Sequence, residues 1–196
     1  SPFFIKYQLL TIFPAIDLRA GQVVRLKYGD PQQQTIYQQQ PAQAALRWLK
    51  LGAAWLHVVN LDGAFGSQDH ANQKAIEAVL QQADSMKACV QLGGGIRTLQ
   101  SAMEILNMGI TRVILGTIAA ENPTFIKELV KQVGAHRVVV GVDARNGQVR
   151  TRGWQKESGQ EARAFASSLQ KIGVETIIYT DIQRDGVGGG INLRST

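Results

Sequence analysis

Two hydrophobic patterns alternate along this chain. Residues 12–17, 55–61, 88–92, 112–115, 137–142 and 175–180 are apolar at nearly every position, which predicts strands covered on both faces. Between them, residues 41–51, 71–83, 99–108, 123–133 and 159–172 place apolar side chains at helical spacing. Gly52, Gly109, Gly134 and Gly173 follow four of these helices, where a glycine cap is expected. Six strands with five intervening helices predict an α/β fold. The connections after strands run longer than those after helices, so function is expected on the strand-end side.

An internal repeat narrows the architecture. Ile16-Asp-Leu-Arg-Ala-Gly-Gln-Val23 aligns with Val142-Asp-Ala-Arg-Asn-Gly-Gln-Val149, sharing Asp, Arg, Gly, Gln and Val in order. Leu61-Asp62-Gly63 after the second strand is echoed by Arg184-Asp185-Gly186 after the sixth. Two halves of four βα units predict a single (β/α)8-barrel domain across residues 1–196, with an open doubly wound sheet as the competitor. The second half reaches only its second strand by Thr196. The chain therefore covers about six of eight units, and a barrel of about 250 residues would need roughly 50 to 60 more. Residues 1–10 read as an atypical extension before the first unit.

Composition excludes several classes. The 196 residues are 44% hydrophobic and 18% charged, an ordinary globular balance rather than a disordered one. The most apolar N-terminal stretch, residues 3–16, is broken by Lys6, Gln8 and Pro14, so neither a membrane span nor a signal peptide is expected. Cys89 is the single cysteine, which rules out an internal disulfide and a cysteine-based zinc site, and a cytoplasmic monomer is expected. With 21 Lys+Arg against 15 Asp+Glu the formal charge is +6. The basic residues are scattered, so nucleic acid is not an expected partner, whereas a small phosphorylated substrate fits a mild positive bias.

The candidate chemistry lies where strands end. Asp17 and Asp143 close strands one and five, which face each other across a barrel, the layout for a base and an acid on two sides of a substrate. The plainer alternative for each is a loop cap. Gly93-Gly94-Gly95-Ile96-Arg97 after strand three and Leu115-Gly116-Thr117 after strand four suit close backbone approach to a phosphate, with the helix N-terminus near Leu99 adding free N–H groups. No GxGxxG or Walker lysine is present, so no nucleotide cofactor is expected. His57 within strand two is a substrate contact or a satisfied core histidine. Arg25, Arg152 and Trp154 lie on loops after strands one and five, where a Trp beside an Arg can stack on a heterocycle and hold a phosphate. Thr180 and Asp185 can reach the mouth from strand six, with Asp181 bracing the loop; Asp62, taken as part of strand two, is ambiguous. His57, His70 and His136 fall in unrelated places, so no metal site is expected.

Taken together, Phe13-Pro-Ala-Ile-Asp-Leu18, Leu56-His-Val-Val, Leu61-Asp-Gly-Ala-Phe65, Gly93-Gly-Gly-Ile-Arg97, Arg152-Gly-Trp154 and Thr180-Asp-Ile-Gln-Arg-Asp-Gly186 resemble the ProFAR isomerase family of histidine biosynthesis over residues 11–196. The resemblance implies a cofactor-free (β/α)8 barrel that performs an Amadori rearrangement of a bisphosphorylated aminoaldose to an aminoketose. It implies Asp17 as general base, Asp143 as general acid, Thr180 as their assistant, and Gly94, Gly95, Gly116 and Thr117 as the first phosphate cradle. The second cradle would belong to strands seven and eight. Asn60 stands where the family usually has Asp.

Three alternatives stay open at this stage. The cyclase of the next pathway step, imidazole glycerol phosphate synthase, shares the half-barrel repeat but should carry Thr-Ser rather than Thr180-Asp181. A bifunctional isomerase would also take phosphoribosyl anthranilate. An inactive barrel fragment is the non-enzyme reading.

Overall fold

A computed structural model of the chain describes residues 10–38, 40–66, 71–187, 190 and 192. The atypical extension expected over residues 1–10 lies, but for Leu10, outside them, as does His70. The first strand, β1 (Ala15–Arg19), turns into a two-stranded ribbon, β2 (Gln22–Lys27) and β3 (Asp30–Gln38). Next come α1 (Pro41–Lys50), β4 (Trp55–Asn60), a short α2 (Leu61–Phe65) and α3 (Ala71–Ser85). They are followed by β5 (Cys89–Gly93), α4 (Leu99–Asn107), β6 (Arg112–Leu115), α5 (Thr117–Glu121) and α6 (Pro123–Val133). A second ribbon, β8 (Gln148–Thr151) and β9 (Lys156–Glu161), grows from β7 (Val138–Arg145), and α7 (Ala162–Lys171) and β10 (Thr176–Asp181) complete the order.

β1, β4, β5, β6, β7 and β10 pair in parallel in that sequence. Their apolar runs are explained by burial on both faces: Val138, Val139 and Val140 of β7 are all inaccessible, each contributing about 2 kcal/mol of apolar burial. One face packs on the helices, with one core cluster around α1 and α3 and another around α4, α6 and α7. Asn122 and Thr98 cap α6 and α4 with their side chains. Gly52, Gly109, Gly134 and Gly173 all have positive φ, as their cap positions predict.

The sheet curls rather than lying open. β1 and β10 do not pair among the described residues, yet the turn after β10 reaches the far side of the sheet: a Cβ on Gly186 would lie 2.6 Å from the Leu26 carbonyl oxygen of β2. That curl is the shape of a (β/α)8 barrel, not of a doubly wound sheet.

Several boundaries differ from the pattern-based expectation. The connections after strands one and five are not loops but antiparallel ribbons. Ala20-Gly21 and Asn146-Gly147 make their first turns with both φ values positive, the backbone that two-residue hairpins favour. The last helix starts at Ala162, capped by the Glu161 side chain, because residues 159–161 belong to β9. Strand one begins at Ala15 rather than Ile12. Asp62 is not on strand two: β4 ends at Asn60, whose side chain accepts from the Gly63 N–H and starts α2.

Candidate active site

The C-terminal ends of the parallel strands open into one cavity of about 1200 Å³. Asp17, His57, Gly94, Gly95, Arg97, Gly116, Thr117, Asp143, Trp154, Thr180 and Asp185 all line it. Arg25 does not. It borders a smaller hollow of about 340 Å³ with Lys27 and Gly186, although its positive charge still reaches Asp17 and Asp185.

The two aspartates occupy matching places and different surroundings. Burial is the main cause that pushes Asp17 up to about 6; the Asp185 charge adds to it and Arg25 opposes it. Asp143 is also raised, chiefly by burial, against two hydrogen bonds that favour its ionised form. One is donated by the Trp154 indole N–H to Oδ2 at 2.9 Å. The other involves Thr180, which stands opposite Asp143 in the β10–β7 register. Asp185 is itself raised by burial and acts on both of the others. Three carboxylates in one cavity make full ionisation costly.

The glycine turns have a packing reason as well as a binding one. Gly94 and Gly95 have φ of 102° and 82°, and Cβ atoms there would come within 2.1 Å of the Asn60 carbonyl oxygen and 2.8 Å of Gly63. Only glycine lets this turn sit against α2. At the start of α4, Thr98 and Ser101 form a reciprocal capping box, which occupies the N–H groups of those two residues and not those of Leu99 and Gln100. Arg97 lines the cavity beside this turn. In the neighbouring turn, Thr117 Oγ1 already accepts the Arg152 N–H at 2.9 Å.

The remaining candidates divide cleanly. Asp62 accepts the Ala20 N–H at 2.7 Å, and Asn72 accepts the Gly21 N–H while donating to the Leu18 carbonyl and to Asn60. These bonds clamp the end of β1 that carries Asp17. Asp181 accepts from the Gln183 N–H and from Asn192, bracing its loop as expected. Arg152 pairs with Glu121 at 2.9 Å. Trp154 lies at the tip of the second ribbon with φ of 71°, and its ring covers Gly29 of the first ribbon so closely that a Cβ there would be 2.3 Å away.

Sequence reasoning missed Arg19 and Arg150, both of which line the cavity. Arg19 donates to the Pro31 carbonyl and to Gln34. Arg150 pairs with Glu157 at 3.1 Å. Alternation in Val149-Arg150-Thr151 sets Arg150 apart from its two buried neighbours, although Thr151 lines the cavity too. Among the described residues, no group of three or more His, Cys, Asp or Glu could hold a metal, and no helix is long and apolar enough to cross a membrane.

Comparison with known proteins identifies the family. Residues 11–196 match the family described as "Histidine biosynthesis protein". A protein of Lachnoclostridium phytofermentans is 42% identical over 187 residues, covering 95% of this chain and 77% of its own length. One from Alkaliphilus metalliredigens is 43% identical over 184 residues, 94% of this chain and 76% of its own length. One from Rhizobium etli is 48% identical over 187 residues, 95% of this chain and 73% of its own length. All three are named 1-(5-phosphoribosyl)-5-((5-phosphoribosylamino)methylideneamino) imidazole-4-carboxamide isomerase.

Proposed function

The chain belongs to the histidine-biosynthesis protein family, and from that premise we propose that it is an aldose–ketose isomerase that converts the bisphosphorylated aminoaldose ProFAR to its aminoketose. The names of the relatives support the reaction. The observation that carries the assignment to residues is the pair Asp17 and Asp143, both raised by burial and set among different neighbours at equivalent strand ends of one cavity.

Asp143 acts as the acid. It gives its proton to the ribose ring oxygen as the glycosylamine nitrogen lone pair breaks the C1–O bond, leaving an open-chain Schiff base. Asp17 then takes the proton from C2, and the electron pair of that bond becomes the C1–C2 double bond of an enolamine. Return of a proton to C1 and loss of the C2 hydroxyl proton give the ketose. C1 is reduced and C2 oxidised within one molecule, so no external redox partner enters. An Asp17 near 6 is mostly ionised at neutral pH and still basic enough to pull a carbon-bound proton. Thr180 orients Asp143 through their hydrogen bond, while Arg97 with the Gly94-Gly95 and Gly116-Thr117 turns holds one phosphate. A cytoplasmic, small-molecule enzyme is part of the same reading.

The test is conversion of ProFAR by the purified chain, followed by chromatographic separation of aldose and ketose. Asp17→Asn is expected to lower kcat by about 10³-fold with KM within a few-fold. A variant with unchanged kcat would remove Asp17 from the role of base.

A further inference from the structure

One rung below Asp17, the inner wall of the barrel is polar where a parallel sheet is ordinarily apolar. Ala15, His57, Gln91 and Arg112 stand opposite one another on β1, β4, β5 and β6, so their side chains share one face. Gln91 is 2% exposed. The Arg112 guanidinium lies 4.4 Å from the centroid of the Trp55 ring and 5.3 Å from that of Phe13. Burying an amide beside a guanidinium is costly unless each finds a partner. They do: Arg112 Nε donates to Gln91 Oε1 at 2.8 Å, and Gln91 Nε2 meets His57 Nδ1 at 2.6 Å.

Donor and acceptor chemistry fixes every proton in this row. A guanidinium has no acceptor, so the Gln91 atom facing Arg112 is the carbonyl oxygen. The amide nitrogen is then the atom against His57, and it too only donates. Nδ1 must therefore accept, which leaves the ring proton on Nε2. We infer that Arg112 and Gln91 are positioning residues that lock His57 as its neutral Nε2–H tautomer, so that the cavity receives a fixed N–H donor one rung from Asp17. Burial and the Arg112 charge work in the same direction, pushing His57 down to about 4.

The lock itself stands on the hydrogen-bond row alone; its use in the reaction rests on the proposed isomerase. As Asp17 removes the C2 proton, the neighbouring oxygen passes from hydroxyl towards carbonyl. A neutral imidazole N–H can polarise that oxygen without giving up its proton, as an imidazolium would. The orientation of the donor is set by two side chains, Gln91 and Arg112, that do not themselves line the cavity.

The experiment is two-bond ¹H–¹⁵N correlation spectroscopy of the imidazole rings in the full chain, with His57 assigned by loss of its signals in His57→Gln. The expected pattern from pH 6 to 8 is an unprotonated Nδ1 and a protonated Nε2. In Gln91→Glu the carboxylate accepts from both neighbours, so a proton must move onto Nδ1. In that variant kcat on the aminoaldose is expected to fall on the order of 10²-fold with KM changed by less than about threefold. Arg112→Lys keeps a pure donor in place and should retain the Nε2–H pattern. Gln91→Met removes the donor without adding charge and should give a mixture of tautomers, which covers the case in which Gln91→Glu does not fold. An Nδ1–H ring in the unaltered chain, or a single Nε2–H ring in either Gln91 variant that folds, overturns the lock. A chain with the Nε2–H ring but no turnover of the aminoaldose supports the lock and removes the proposed reaction, so the two failures are distinct.

Discussion

The stretch from β1 to β4 and the stretch from β7 to β10 run through the same elements: a strand, a two-stranded ribbon, a ten-residue helix and a six-residue strand. Each places an aspartate at the same point of its first strand, and each turns its ribbon with two positive-φ residues. The neighbours differ. Asp17 has Arg25 on its ribbon, where the second half has Thr151. Asp143 has the Trp154 indole and Thr180 in direct hydrogen bonds. A repeated backbone thus supplies two carboxylates in register, and in the proposed reaction the division into base and acid rests on what surrounds each.

Exchanging the aspartates one at a time tests that division most severely. Asp143→Asn should cost about as much in kcat as Asp17→Asn, about 10³-fold. The residual pH–rate profiles should differ, however. Loss of Asp17 removes the acidic limb near pH 6, and loss of Asp143 removes the basic limb, as steady-state rates between pH 5 and 9 would show. Identical residual profiles would mean that the two halves are not differentiated as argued.

The contact between the ribbons is the next place to break the asymmetry. Gly29→Ala puts a methyl where the Trp154 ring lies and strains a φ of 68°. It should pull the indole off Asp143 and lower kcat/KM at least tenfold, by about 1.4 kcal/mol or more in transition-state stabilisation. Trp154→Phe separates the ring from its donor. Without the N–H that favours ionised Asp143, the basic limb should move up in pH, a result that simple loss of packing would not produce.

Stability should move the opposite way from activity at Asp17. Its carboxyl titrates at about 6 in the fold against 3.8 for the free group. The fold therefore prefers the protonated form, and the penalty grows as pH rises from about 4 to about 6. Asp17→Asn should stabilise the chain by about 2–3 kcal/mol at pH 7 and by almost nothing at pH 3.5. Urea unfolding at the two pH values measures both. His57 has the opposite slope, since its depressed value makes the fold lose stability as pH falls from 6.5 towards 4.

How much of this was legible beforehand follows from the range of the forces involved. Residues buried on both faces, such as Val138 to Val142, write their environment into a continuous apolar run, so the parallel strands were clear. The ribbons were not, because Gln32 to Gln34 and Lys156 to Gln160 are polar, and their strand pairing rests on backbone bonds. The Asn146-Gly147 pair was the overlooked hairpin signal. Asp17 and Asp143 were legible through the repeat. Gln91 was not: one polar residue inside Cys89–Gly93 reads as noise until its partners on β4 and β6 are known.

The smallest expected effect is also the most direct trial of the comparison. Arg25→Thr installs in the first ribbon the residue type that the second ribbon carries at position 151. Arg25 is exposed and lies outside the main cavity, so its influence on Asp17 is purely through charge and is weakened by solvent. Removing it should raise Asp17 further and move the acidic limb of kcat/KM upward by about one pH unit or less. The shift should shrink in 1 M salt, where screening has already removed most of what Arg25 contributes. If the limb stays in place at low salt, the residue at this position does not set the difference between the two halves. Burial and the Asp185 charge would then set Asp17 by themselves.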